Sequence, residues 1–431
     1  MKDHYLARHE SFAAAVADEP PWLGRLRGEA LGAFRDLGFP TTRLEEWRYT
    51  NVRPIASVPF ELSRRDPASV SREALEPLAV PIFACSLFVF VDGRFAPHLS
   101  ASRALVGDMG VASLAELRRS DPARLESRLG GLLEAKQHPF AALNTAFLDD
   151  GAVLMVPAGT RLDRPMHVVF LTSGEKDAVC HPRVLVVAGA NSSFSLVQDH
   201  VSLAEARGFT NAVTEVFAEP GAAVELVVMQ RENRRQLHTA SLAVRLARDA
   251  RFTGHTVTLG GALVRNDLTV TFAGEGAECR ANGLFVGAGE QLLDNHTLID
   301  HAVPLGTSRE LYKGILGGSA KGVFRGRVVV RPDAQRTNAW QSNPNLLLSD
   351  AAEIDTKPQL EIFADDVKCS HGSAIGRLDD DALFYLRSRG IGETQAREML
   401  SRGFASEVTR AISIAPLRDE IDRLVAEKLE P

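Results

Sequence analysis

The sequence predicts a mainly β protein: a right-handed parallel β-helix core flanked by N-terminal and C-terminal helical domains. Three observations carry this. From about Val153 to Val367 short β-branched runs such as HVVFL, RVLVVAG, FSLVQ, VTEVF, VELVV, HTVTL, LTVTFAG and RVVVRP follow one another between Gly, Asn and Asp turns. Helical periodicity is nearly absent across this region, roughly 200 residues. Many runs end in a turn containing an alanine, at Gly189-Ala190, Gly221-Ala222, Asp249-Ala250, Gly276-Ala277, His301-Ala302 and Ser319-Ala320, with the alanines 32, 28, 27, 25 and 18 residues apart. Outside this region apolar residues return at helical spacing.

The drifting step separates the candidate architectures. A single sandwich uses about seven to nine strands in about 100 residues, too few for this chain. A propeller keeps a fixed repeat of about 40 to 45 residues. Coils of variable length, with short strands and small corner residues, fit a parallel β-helix in which each rung stacks on the next. The resulting division is a helical and mixed domain over 1–150, the β-helix over 151–377 and a helical domain over 378–431.

Residues 1 to about 60 read as helical. Trp22, Leu23, Leu26, Ala30, Ala33, Phe34 and Leu37 recur at helical spacing, and Gly38 then Pro40 end the run. Thr42-Arg43-Leu44-Glu45 has the form of a capping box opening a short segment with Trp47 and Tyr49. Asp92-Gly93 inside LFVFVDGRF predicts a hairpin turn. A helical pattern returns from Ser113 to Leu133, and His138-Pro139-Phe140 leads into the β region.

The chain is organised around Asn343 to Arg377. An apolar run at Leu346 to Leu348 is followed by a second at Pro358 to Phe363, and then by Lys368-Cys369-Ser370-His371-Gly372. On a strand, residues i and i+2 share a face, so Cys369 and His371 present one sulfur and one nitrogen to a common point, donors suited to iron, zinc or copper. The same C-x-H pattern describes a buried thiol beside a hydrogen-bonded imidazole. Lys368 either lowers the pKa of Cys369 and favours its thiolate or is a plain surface lysine. A β-helix has two open ends whose unpaired edges need covering. The helical domains serve as partial covers, and Leu346 to Phe363 is a natural place for pairing with a partner sheet. From Asp379 onward, Leu383, Leu386, Ala396, Met399, Leu400, Val408, Ile412, Leu417, Ile421, Leu424 and Leu429 mark three or four amphipathic helices. Arg387, Arg389, Arg397 and Arg402 give a basic face, suited to an acidic partner or to solvent.

Composition narrows the function. The 49 basic and 55 acidic side chains leave a net charge of -6, which lacks the basic surplus of a nucleic-acid binder. Charges interrupt the apolar residues of the N-terminus as they do not in a signal peptide, and no window reaches the roughly 18 to 20 apolar residues of a membrane span. Cys85, Cys180, Cys279 and Cys369 include no C-x-x-C, which argues against a disulfide framework or a self-contained cluster site and fits a reduced cytoplasmic setting. Any cluster handled here needs ligands from a partner. There is no P-loop, no G-x-S-x-G and no H-E-x-x-H, and GLFVGAG at Gly283 to Gly289 lacks the strand-then-helix setting of a dinucleotide fold. His255, His296 and His301 read as hydrogen-bonded core residues.

The stretch LLLSDAAEIDTKPQLEIFADDVKCSHG, with LFYLRSRGI at Leu383 to Ile391, resembles the SufD family, and GFPTTRLEEWRYT is similar to that family's N-terminal signature. SufD proteins are non-ATPase scaffold subunits of the SUF iron-sulfur cluster assembly complex. The resemblance implies the same β-helix core, a SufB-like subunit paired through Leu346 to Phe363 and a SufC-like ATPase docked on the C-terminal helices. It implies that His371 helps form a nascent iron-sulfur cluster site shared with the SufB-like partner, with Cys369 beside it and able to take up metal. SufB-like paralogues carry a cysteine shortly before the interface strand, where this chain has Ser342, Asn343 and Pro344; that departure favours SufD. A reduced flavin in the complex and a homodimer of the isolated chain are left open. The competing expectations are a carbohydrate-active β-helix protein, which would ordinarily be exported and carry paired acids, and a DNA-binding module built on Gly390-Ile391-Gly392.

Overall fold

The computed structural model describes residues 2–16, 19–78, 80, 85–101 and 110–429. The β-branched runs become strands that alternate between two sheets, so each coil of the chain lays one strand in each sheet. Among the described residues the sheets hold eleven and ten strands. One ladder runs from Ala152–Val156 to Glu353–Ile362 and the other from Met166–Thr172 to Lys368–Gly376. Neighbouring coils pair in parallel, for instance Leu263 with Leu292 and Leu292 with Lys321. The result is a parallel β-solenoid of about eight turns.

One corner recurs in left-handed backbone, at Asn191, Gly221, Asp249, Gly276, Leu305 and Arg336, with φ between 57° and 71°. These positions are about 27 to 31 residues apart, so the coil length is nearly constant. The alanine step of 18 arises because Ala320 sits at the opposite corner, beside Gly318, half a coil on. Asn, Asp and Gly tolerate the left-handed conformation, which explains four of the six corners; Leu305 and Arg336 adopt it without that advantage.

Inward side chains alternate along each strand and stack from coil to coil. Phe194, Val224, Phe252 and Cys279 are register partners in one sheet, facing residues such as Val270, Ile299 and Val328 of the other in one buried cluster. Each such aliphatic or aromatic side chain stabilises the fold by about 1.5–3 kcal/mol on burial.

The two ends differ. At the first, Ser86–Val91 adds a strand alongside Met166–Thr172, and the Asp92-Gly93 turn folds Arg94–Phe95 back against it. Gly110–Ser113 pairs antiparallel with Ala152–Val156. This end therefore finishes in two short antiparallel strands, drawn from the first 150 residues. At the other end, Glu353–Ile362 and Lys368–Gly376 have no strand on their outer side among the described residues.

Lys2–Ala15, Pro21–Leu37 and Pro139–Ala146 cover the outer face of the first sheet, where Tyr5, Phe34, Phe60 and Phe140 pack with Phe209 and Leu237. Gly38, at φ 63°, ends the second helix and donates its N–H to the Phe34 carbonyl. The expected capping box does not form: Glu45–Trp47 is a single 3-10 turn with Leu44 before it and no side-chain cap. Glu45 is drawn instead to Lys357 of the last coil, while Trp47 lies buried with the Arg265 guanidinium 3.7 Å from its ring centroid. The predicted helix of Ser113 to Leu133 is broken into Leu114–Ser120 and Ala123–Glu126.

Asp380–Ser388, Glu393–Thr409 and Ala415–Leu429 form the C-terminal segment. Val408, Ile412, Leu417, Ile421 and Val425 pack on Val227, Val257, Leu284 and Ile315 of the second sheet. Lys313 fixes this contact, pairing with Glu407, donating to the Phe404 carbonyl and lying 4.2 Å from the Phe404 ring centroid.

Candidate functional site

Cys369 and His371 lie on Lys368–Gly376, the final strand of the second sheet. Cys369 stands opposite Ala339 and His371 opposite Gln341 on the preceding coil. Cys369 packs against the solenoid interior. His371, two residues further on the same face, is exposed where the interior opens to solvent. The edge position follows from the order of coils, because no later strand among the described residues covers this one.

Lys368 faces the other side of the strand and does not promote a thiolate. Partial burial pushes the Cys369 thiol up, opposed by a backbone hydrogen bond at Ala339. A depression of about 340 Å³ bordered by Arg309, Trp340 and Lys368 reaches Cys369. Cys180 and Cys279 are fully buried, and burial raises both thiols. The three core histidines are held in place: His255 Nδ1 lies 3.4 Å from Asn282 Nδ2, with Glu225 3.6 Å from its other nitrogen; His296 lies 3.0 Å from Asp294; and His301 stacks on Phe272 and shares a hydrogen bond with Ser308.

Behind His371 the interior turns polar. Its register column runs from Met166, Leu196 and Leu226 through Gly254 and Ala281 to Glu310, Gln341 and His371. Gln341 Nε2 donates to Glu310 Oε2 at 2.6 Å, and both side chains are buried. Alongside, Asn343 Nδ2 donates to the Tyr312 carbonyl, while Thr356 and Asn345 donate to Asn343 Oδ1. The sequence reading missed Glu310 and Gln341. Their separation of one coil was the available signal, but it has meaning only once the register is known.

Burial pushes the Glu310 carboxyl up to about 7, and Gln341 and Thr297 draw it back only in part. An unfolded glutamate ionises near its ordinary value of about 4.3. Between those pH values the unfolded chain binds fewer protons than the folded one, so this group makes stability fall as pH rises. Glu310→Gln is therefore expected to match the parent near pH 4 and to gain progressively on it, levelling above pH 7 at about 3–4 kcal/mol. Denaturant unfolding midpoints at pH 4.5 and 8 check this; an equal difference at both would refute it.

Only part of the predicted docking run is accessible. Leu346 and Leu348 pack beneath the C-terminal helices, which the local sequence cannot show. The exposed apolar residues at the open end are Trp340, Ile362, Phe363 and Ile375, with Phe363 61% and Ile375 52% accessible. Pro344 lacks an N–H, and the pairing of its strand with Thr307–Leu316 is interrupted between Ser342 and Asn345. A second exposed patch is Phe384 and Tyr385 on Asp380–Ser388. A larger cavity of about 410 Å³ lies by Lys2–Ala15, remote from the open end, where Arg8 pairs with Glu61 and Arg118 with Asp149. Among the described residues no three His, Cys, Asp or Glu side chains converge as a metal site, and no helix is long and apolar enough to cross a membrane.

These features define a two-sheet parallel β-solenoid protein with helical segments on its outer faces. The profile described as "SUF system FeS cluster assembly, SufBD core domain" matches residues 170–404, and that of the "SufBD protein N-terminal region" matches residues 1–168. The chain belongs to the SufBD family of SUF-system iron-sulfur cluster assembly proteins. It is 33% identical over 407 residues to an iron-sulfur cluster assembly SufBD family protein of Synechocystis, covering 92% of this chain and 88% of that one. It is 32% identical over 395 residues to the iron-sulfur cluster assembly protein SufD of Escherichia coli, covering 91% and 90% of the two chains. The Bacillus subtilis SufD is 27% identical over 421 residues, covering 96% and 95%.

Proposed function

We propose that this chain is a non-catalytic scaffold subunit of a cytoplasmic iron-sulfur cluster assembly complex. It pairs through its open end with a SufB-like subunit, docks a SufC-like ATPase on its C-terminal helices, and lends His371, with Cys369 beside it, to a nascent cluster shared across the pair. The observation that carries this reading is the position of His371: exposed, on a strand whose outer edge is unpaired among the described residues, and on the same face as a thiol. Cluster iron is commonly held by about four protein donors, so two from this chain are half a set, and a shared half-site suits a cargo that must leave again. Exposed Phe384 and Tyr385 support the helical segment as the second docking surface.

The edge pairing is tested with Ile375→Glu. Ile375 is largely exposed, so the substitution has little effect on folding, but it places a charge in the seam. Co-purified SufB-like partner is expected to fall at least about tenfold. Retention at the parental level would move the interface elsewhere, and a pair of parent copies that Ile375→Glu splits into single chains would identify the same seam as a homodimer surface.

A further inference from the structure

We propose that Gln341 is the positioning residue for His371: the exposed imidazole turns inward to donate the N–H of one ring nitrogen to the free carboxamide oxygen of Gln341, which leaves the other nitrogen directed outward, toward the open end. This rests on the reading of His371 as a cluster ligand. Gln341 is fully buried and stands directly opposite His371 in the parallel register. Its Nε2 donates to Glu310 Oε2 at 2.6 Å, and above about pH 7, where Glu310 is ionised and can only accept, this holds the orientation of the amide. The other end of that amide, Oε1, has no hydrogen-bond partner among the described residues. A buried carbonyl without a donor is costly, and along this column the next group toward the open end is the imidazole.

The surroundings are cut to fit this side chain. Across the interior, a Cβ on Gly326 would stand 2.2 Å from Gln341 Nε2, so glycine at 326 clears the space the carboxamide occupies. Below Glu310 the column continues with Ala281 and Gly254, which offer no side-chain donor or acceptor, so the polar chain can extend only outward. Imidazoles that bind metal generally donate their second N–H to a carboxylate or carbonyl, which fixes tautomer and ring plane, and removal of that support weakens metal binding by about 10–100-fold. Glu310, Gln341 and His371 form such a support, with the glutamate orienting the amide and the amide orienting the ring.

The test uses the full chain with 15N-labelled histidine, the ring signals of His371 being assigned by their loss in His371→Ala. In the parent, neutral His371 is expected in one dominant tautomer. Gln341→Met, which keeps the volume and removes the acceptor, is expected to give the mixed tautomers of a free imidazole and to lower iron retained by the assembled complex about tenfold or more. Glu310→Gln keeps an acceptor for Gln341 Nε2 and is expected to preserve the single tautomer. Mixed tautomers in the parent itself, a measurement that needs no variant to fold, overturn the proposal, as does a single tautomer surviving in Gln341→Met. Because the ring signals are read without metal, they are independent of the ligand assignment: full cluster content in His371→Ala would refute that assignment and leave the tautomer result standing.

Discussion

His371→Ala is expected to remove most of the iron and acid-labile sulfide from the assembled complex while leaving the chain folded and its partners bound. The imidazole is exposed on an edge strand, so its loss opens no cavity, and surface changes of this kind stay within about 0.5 kcal/mol. With about four donors to a cluster and none to spare, loss of one is expected to lower occupancy at least about tenfold. Cys369→Ser is expected to be milder, since the thiol is half covered and burial disfavours its thiolate. Iron and sulfide per complex, measured beside the melting temperature and the subunit ratio, decide the matter. Parental cluster content in His371→Ala would remove this residue from the mechanism.

Glu215→Ala is expected to destabilise the chain by about 3–5 kcal/mol, more than any of the other substitutions. Glu215 is fully buried; it accepts from the Arg183 guanidinium and from the backbone amides of Gly130 and Leu132. Arg183 is equally buried and also donates to Asn144 and Thr145, so one carboxylate ties the connecting segment and the helix Pro139–Ala146 to the first sheet. Truncation leaves an uncompensated guanidinium and two amides without their acceptor. The double variant Arg183→Met with Glu215→Leu is expected to recover much of the loss, because no buried charge then remains. Denaturant unfolding of the parent, the single and the double variant checks both statements; a single variant within about 1 kcal/mol of the parent would show that Arg183 finds another partner.

Much of the solenoid was legible because its strands carry β-branched runs bounded by turn residues. The coil length was not, since Leu305 and Arg336 hold left-handed corners without a glycine or asparagine to mark them, and Ala320 lies across the molecule from the alanines it follows. Pairing is set by the stacking of coils about 30 residues apart, and a local reading cannot see it. That is why Cys369 and His371 were found by their spacing while Glu310 and Gln341 were passed over. The same distance effect hid the covering of Leu346 and Leu348 by the C-terminal helices, and drew Glu45 away from the expected cap to Lys357. Of the two readings of Lys368 the plain surface lysine is the one that fits, because the pleat sends neighbours to opposite sides and adjacency in sequence is not adjacency in charge.

The inequality of the two ends limits how far such molecules can associate. A stack of coils with both ends bare could add copies indefinitely and grow into a fibre, whereas here one end finishes in strands of two and four residues that run against their neighbours and offer little template for growth. Joining through the bare end consumes the long edge that each molecule has to offer. If the proposed pairing runs through that end, it halts at a couple rather than a filament, and whatever sits at the join is enclosed between two walls.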